Sequence, residues 1–196
     1  MASKRFGVNL VFALIAVALG TTALVAISVN LKRPEIRQAG TQLTGSGQLP
    51  KNHPSPEIAN RLMTLEQLAA KDPQNPDYPT QIANLYYDLG QFDRAADFYQ
   101  QSLKIRPQNP GVETDLATCY HYLGESDKAL EILERVLKYS PDFPQALLNK
   151  GVVLLSAKND AKGAISVWEA LLRSDPDFPQ RSELEQRIKQ LRMSLK

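Results

Sequence analysis

Two histidines, His53 and His121, and one cysteine, Cys119, are the side chains here best suited to ligating a metal or serving as base and nucleophile. Cys119 and His121 stand two residues apart in a segment that reads as helix, so they point in different directions and do not share an ion. No cysteine pair has zinc spacing, no CxxCH segment offers a haem attachment, and no glycine-rich loop is built to cradle phosphate. Carboxylates pair up at Asp72 with Asp77 and at Asp175 with Asp177, but these fall at helix junctions, where Asp caps helices or sits in solvated turns. Cys119 reads as a small core residue, and alone it makes no internal disulfide. No catalytic residue, metal or cofactor is expected.

Charge excludes a second class. Of the 23 basic and 21 acidic residues, residues 1–55 hold six basic ones (Lys4, Arg5, Lys32, Arg33, Arg37, Lys51) and one acidic, Glu35, which leaves 17 basic and 20 acidic for the remainder. A nucleic-acid partner requires a basic face. The remainder offers none, so no nucleic acid is expected.

The elements that carry these residues divide the chain in three. Phe6 to Leu31 contains no charged residue and is flanked by Lys4 and Arg5 on one side and Lys32 and Arg33 on the other. About 20 apolar helical residues cross a bilayer, and basic flanks suit its two headgroup layers. Residues 1–33 are therefore expected to be a membrane anchor, with residues 6–31 spanning. A cleaved signal peptide is the competing reading, from Ala16-Val17-Ala18, but the apolar run continues beyond the length of a signal core. Residues 34–55, punctuated by Gly40, Gly45, Gly47, Pro50 and Pro54, read as a flexible tether with a root-mean-square span of roughly 25 Å.

Residues 56–196 repeat themselves. Pro73, Pro107 and Pro141 are 34 apart and Pro176 follows after 35; Tyr86, Gly90 and Ala95 recur as Tyr120, Gly124 and Ala129. The first unit runs Ile82-Ala83, Tyr86, Gly90, Ala95, Tyr99, Pro107. The second runs Leu116-Ala117, Tyr120, Gly124, Ala129, Leu133, Pro141. The third has Gly151, Leu154, Ala164, Trp168 and Pro176, with one extra residue and no glycine in its turn at Lys158-Asn159-Asp160. This pattern resembles the tetratricopeptide repeat (TPR) family, whose unit is a 34-residue helix-turn-helix. The early tryptophan of that family is replaced by Pro79, Glu113 and Leu147.

The resemblance implies an all-α fold, a solenoid of three repeats (75–109, 110–143, 144–178) between a capping helix at 56–74 and another at 179–196. A lone repeat cannot bury its apolar face, so repeats stack and the ends need capping. Ser55 and Pro56 are expected to start the first cap helix. In the last, Ser182 and Glu185 are expected to form a capping box, with Glu183–Arg187 and Glu185–Lys189 pairs outside its apolar stripe.

In the TPR family the first helix of each repeat lines a concave groove. Carried over, the groove positions are Asn84, Tyr87 and Asp88, then Thr114, Thr118, His121 and Tyr122, then Leu148, Val152 and Leu155. A groove polar and aromatic at one end and aliphatic at the other suits a short peptide. Family members that clamp a terminal carboxylate do so with Lys and Arg on these helices, where this chain has only Lys150. The resemblance implies a non-enzymatic scaffold for protein or peptide clients. The segment 164–172 also resembles the repeat domains of cytochrome c maturation proteins that hold apocytochromes, which implies a role in envelope assembly. A short basic N-terminal tail such as Lys4-Arg5 stays in the cytoplasm as a rule, so the anchor is expected in the inner membrane with the repeats in the periplasm. A stoichiometric structural subunit of a larger membrane complex is the competing reading. The sequence does not fix an oligomeric state.

Overall fold

The structure is a computed structural model and describes residues 54–195. The expected anchor, and the expected tether except for its last two residues, lie outside these. Among the described residues no helix is long and apolar enough to cross a membrane.

Among the described residues eight helices follow one another: α1 (Pro56–Lys71), α2 (Asp77–Asp88), α3 (Phe92–Ile105), α4 (Pro110–Tyr122), α5 (Ser126–Tyr139), α6 (Pro144–Lys158), α7 (Ala161–Ser174) and α8 (Arg181–Ser194). Their starts follow local chemistry. Pro at the first turn brings no N–H of its own to satisfy, and it opens α1, α4 and α6. Side chains cap three starts: Ser55 accepts from the Ile58 N–H, Asn109 from Val112 and Asp160 from Gly163. The acidic pairs do not cap starts. Asp72 and Asp175 instead follow the ends of α1 and α7, and Asp77 faces Arg106 at 3.5 Å.

Every repeat closes its first helix through a left-handed residue. Gly90, Gly124 and Asn159 have φ of 73°, 82° and 52°, the left-handed geometry that closes a helix C-terminus. The next N–H then reaches back to a carbonyl of the last turn: Gln91 to Tyr86, Glu125 to Tyr120, Asp160 to Leu154. Asn159 therefore stands in for the missing glycine.

The helices pack in antiparallel pairs, α2 with α3, α4 with α5 and α6 with α7, and each pair stacks on the next through α3–α4 and α5–α6. α4 also packs on α6, which places the first helices on the inner face of the stack. Ala83, Ala95 and Tyr99 hold equivalent positions to Ala117, Ala129 and Leu133 and to Gly151, Ala164 and Trp168, and all nine are buried. The largest side chain faces the smallest partner: a Cβ on Gly151 would lie 2.1 Å from Trp168 Nε1. That indole donates to the Leu148 carbonyl at 3.0 Å. Each buried large side chain contributes about 1.5–3 kcal/mol.

Both ends present charge where a further repeat would need apolar contact. Arg61 on α1 is 34 residues before the buried Ala95, and it is exposed. Pro141-Asp142-Phe143-Pro144-Gln145 recurs at 176–180, so Glu185, Gln186 and Lys189 on α8 hold the positions of Lys150, Gly151 and Leu154. All three are exposed, while Leu184 and Ile188 are buried against α7. The expected capping box does not form. α8 starts two residues earlier than a Ser182 cap requires, at Arg181, whose guanidinium donates to the Leu172 carbonyl at 2.9 Å, while Glu185 pairs with Arg181 at 3.0 Å.

Candidate functional site

The expected groove residues lie on the three inner helices, α2, α4 and α6, at different depths. Thr114 (1% exposed), Thr118 (5%) and Val152 (9%) are the buried ones. The threonine hydroxyls turn back on their own helix, Thr114 to the Pro110 carbonyl and Thr118 to the Thr114 carbonyl. Asn149 then joins α6 to α4 by donating to Thr118 Oγ1 at 2.9 Å. Asn84, Tyr87, His121, Tyr122, Leu148 and Leu155 are half-buried, and Asp88 is exposed. Asn84 accepts from the Tyr99 hydroxyl at 2.6 Å, which ties α2 to α3.

Three equivalent positions meet at successive repeat junctions and differ in chemistry. At the first junction they are Tyr87, Phe92 and Tyr122. Phe92 stacks on Tyr122 at a 4.3 Å centroid distance, and Tyr87 meets both edge-on, at 5.4 Å from Phe92 and 6.3 Å from Tyr122. Such ring pairs add about 0.5–1.5 kcal/mol beyond their buried area. Burial pushes the Tyr122 phenol up, against a hydrogen bond with Tyr87.

At the second junction, 34 residues on, the same positions are His121, Ser126 and Ser156. His121 Nδ1 lies 2.9 Å from Ser126 Oγ and its Nε2 lies 3.2 Å from Ser156 Oγ. Ser156 spends its own proton on the Val152 carbonyl, 2.7 Å away. It therefore accepts from Nε2–H, and the neutral ring accepts from Ser126 at Nδ1. Burial pulls the His121 pKa below the usual histidine value. His121 thus joins the α4–α5 turn to the end of α6.

Phe92, Ser126 and Ser156 were not among the residues expected at the groove. Their repeat positions were legible: Ser156 is Tyr122 plus 34 and Ser126 is Phe92 plus 34. Phe92 and Ser126 open the second helix of their repeats, outside the set carried over from first helices.

Charge on this wall is one-sided. α2 and α4 carry Asp77, Asp88, Glu113 and Asp115 and no lysine or arginine. α6 runs through Lys158, one cation more than expected, and both its lysines are engaged: Lys150 with Glu134 at 3.0 Å and Lys158 with Asp127 at 2.5 Å. Glu113, at the family's tryptophan position, is 4% exposed. It accepts from Arg135 Nε and the Tyr139 hydroxyl, each at 3.0 Å. Burial, then the bond and charge of Glu113, push the Tyr139 phenol up to about 12, opposed by Arg135. No group of three His, Cys, Asp or Glu residues able to hold a metal occurs among the described residues, and Cys119 is buried.

Known proteins share this architecture. A tetratricopeptide repeat family model matches residues 88–147 and again 124–188, and a second matches 64–110. MamA superposes with a TM-score of 0.62 at 16% identity, over 70% of this chain and 78% of that one. The first TPR of Spaghetti (RPAP3), bound to the HSP90 peptide SRMEEVD, gives 0.56 at 21% identity, over 63% and 95%. The TPR2B domain of yeast Sti1, in complex with pHsp70, gives 0.56 at 15%, over 61% and 98%. Likenesses at this identity concern the fold. No curated protein matches the chain.

Proposed function

The chain belongs to the tetratricopeptide repeat family, and from that premise we propose that it is a membrane-tethered scaffold whose inner groove holds polypeptide clients. One observation carries the reading: half-buried rings and polar groups line the inner helices at two successive junctions, with no reactive constellation beside them among the described residues. Such a wall offers apolar area for affinity and hydrogen-bonding groups for register. Neighbours of this fold that hold an HSP90 peptide and pHsp70 support the same use of the groove. SRMEEVD carries three acidic side chains; the lysines on this wall are already paired with Glu134 and Asp127. Clients of this chain are accordingly of another kind.

The finer reading places the scaffold at the inner membrane. The apolar run at 6–31 holds it by a single span, the repeats face the periplasm, and the tether keeps the groove near clients emerging at the membrane, where its effective concentration is high. Assembly of envelope proteins, apocytochromes among them, is the process this arrangement serves.

Titration of the full chain in non-ionic detergent with apocytochrome c, an unfolded client, tests the groove. Tyr122→Arg combined with Leu155→Arg is expected to weaken binding at least about tenfold, by placing unpaired charge in a half-buried wall. Lys128→Glu, on an exposed site of α5, leaves it unchanged. No binding, or equal losses in both variants, contradicts the reading. For location, a cysteine placed at residue 128 is labelled in spheroplasts with an impermeant maleimide, and buried Cys119 keeps the background low. Labelling only after lysis would put the repeats on the other side.

A further inference from the structure

We infer that α8 is a latch: it opens as one unit while the three repeats stay folded, and the ion pair between Glu169 and Arg192 tunes how often it does so. Packing is the first ground. Each helix from α2 to α7 packs on at least two others, whereas α8 has one principal neighbour, α7. Leu184 and Ile188 are its buried residues. Met193 and Leu195, near its end, remain 59% and 47% exposed.

The seam between the two helices is the second ground. A cleft of about 460 Å³ runs along it, lined by residues of both helices, Leu172 and Ile188 among them. Closely packed interiors leave few voids larger than a water molecule, so this contact is not closed as a core contact is. Polar groups cross it instead. Arg192 of α8 pairs with Glu169 of α7, and Arg181 donates to the Leu172 carbonyl at 2.9 Å. The Arg192 side chain is 61% exposed and that of Glu169 31%, so added salt screens the pair. When α8 leaves α7, Leu172 loses its cover and Leu184 and Ile188 turn to solvent. An end that is charged when closed thus becomes apolar when open.

Hydrogen–deuterium exchange of the full chain in non-ionic detergent, read by mass spectrometry, tests the latch without any client. Amides along α8 are expected to share one level of protection, at least about tenfold below that of α4 and α5. Salt at about 0.5 M should lower the protection of α8 by about two- to fivefold. α1 is the internal control: it too has one principal neighbour, α2, but among the described residues no ion pair joins them, so its protection should not respond. Arg192→Gln should reproduce the salt effect at low salt and abolish any further response. Lys189→Gln removes a cation from the same cleft that makes no ion pair among the described residues, and should leave α8 as in the wild type. Protection of α8 equal to that of α4 and α5 overturns the inference, as does protection that declines gradually toward its last residue. A salt response shared by α1, or one that persists in Arg192→Gln, overturns the role of the ion pair.

Discussion

At Gly151 the third repeat gives up even a methyl group, and Trp168 fills the space. Gly151→Ala forces the indole away and strains its bond to the Leu148 carbonyl. Overpacking of this kind costs about 1–3 kcal/mol, visible as a lower midpoint in urea. Gly163→Ala is the contrast. Its new Cβ meets only the exposed Asp160 carboxylate, so a lost cap of about 1 kcal/mol is offset by a helix gain of similar size. Equal losses for the two variants would refute this view of the core. The need for a small residue at 151 was legible from its register with Ala83 and Ala117. The reason it is glycine was not, because that depends on which side chain the facing helix supplies.

His121 makes a pH prediction with a definite sign. Its folded pKa lies below the usual histidine value because the ring is partly buried between α4, the Ser126 end of α5 and Ser156 of α6. The Lys158–Asp127 ion pair joins the same ends of α6 and α5. As pH falls, the unfolded chain takes up the proton first, near the ordinary histidine value of 6.5. Stability present above that value is therefore lost as pH falls toward the folded pKa, below which both states are protonated and the loss stops. His121→Gln should flatten this segment of a stability-versus-pH curve. A curve unchanged by the substitution would mean that another group is responsible. The sequence placed His121 at the groove but not its two hydroxyl partners, one of which comes from the following repeat.

Among the elements, the turns were the most legible feature and the last helix start the least. Gly90 and Gly124 sit at φ values that an alanine reaches only at a cost of roughly 1–2 kcal/mol. Gly90→Ala and Gly124→Ala should each destabilise by that order, whereas Asn159→Gly should be nearly neutral. Thermal melts of the three variants check the ranking, and a destabilising Asn159→Gly would contradict it. The expected Ser182 capping box failed because a tertiary contact outweighs a local one. Arg181 donates to the Leu172 carbonyl of α7 and to the Pro176 carbonyl in the turn after it, while Phe178 is buried, at 2% exposure. Together they set where α8 begins, and the contact Arg181 makes with α7 is not legible in the residues around Ser182.

Across the whole solenoid, three repeats form one stack because charged residues stop it at each end. Arg61 occupies the place of a buried alanine on α1, and Glu185, Gln186 and Lys189 occupy the large–small–aromatic positions on α8. A combined variant carrying Arg61→Ala, Glu185→Leu, Gln186→Ala and Lys189→Tyr would expose repeat-like faces at both ends; heterologous faces of that kind propagate end to end. Sedimentation velocity should show association that rises with concentration beyond that of the wild type, and no change would mean that the ends are not what limits the stack. The solenoid itself was legible because its period is fixed by helix geometry. The sorting of the groove into a buried floor and two unlike junctions was not, since it is set by contacts between repeats.

Whether the inner wall holds clients is decided by photo-crosslinking in intact membranes, with the reactive group at Tyr122 in one sample and at exposed Lys128 in another. A client-holding wall gives crosslinks from position 122 to many polypeptides and few from position 128. Crosslinks from both positions to one integral protein at fixed stoichiometry would contradict it and make the chain a built-in subunit of that complex.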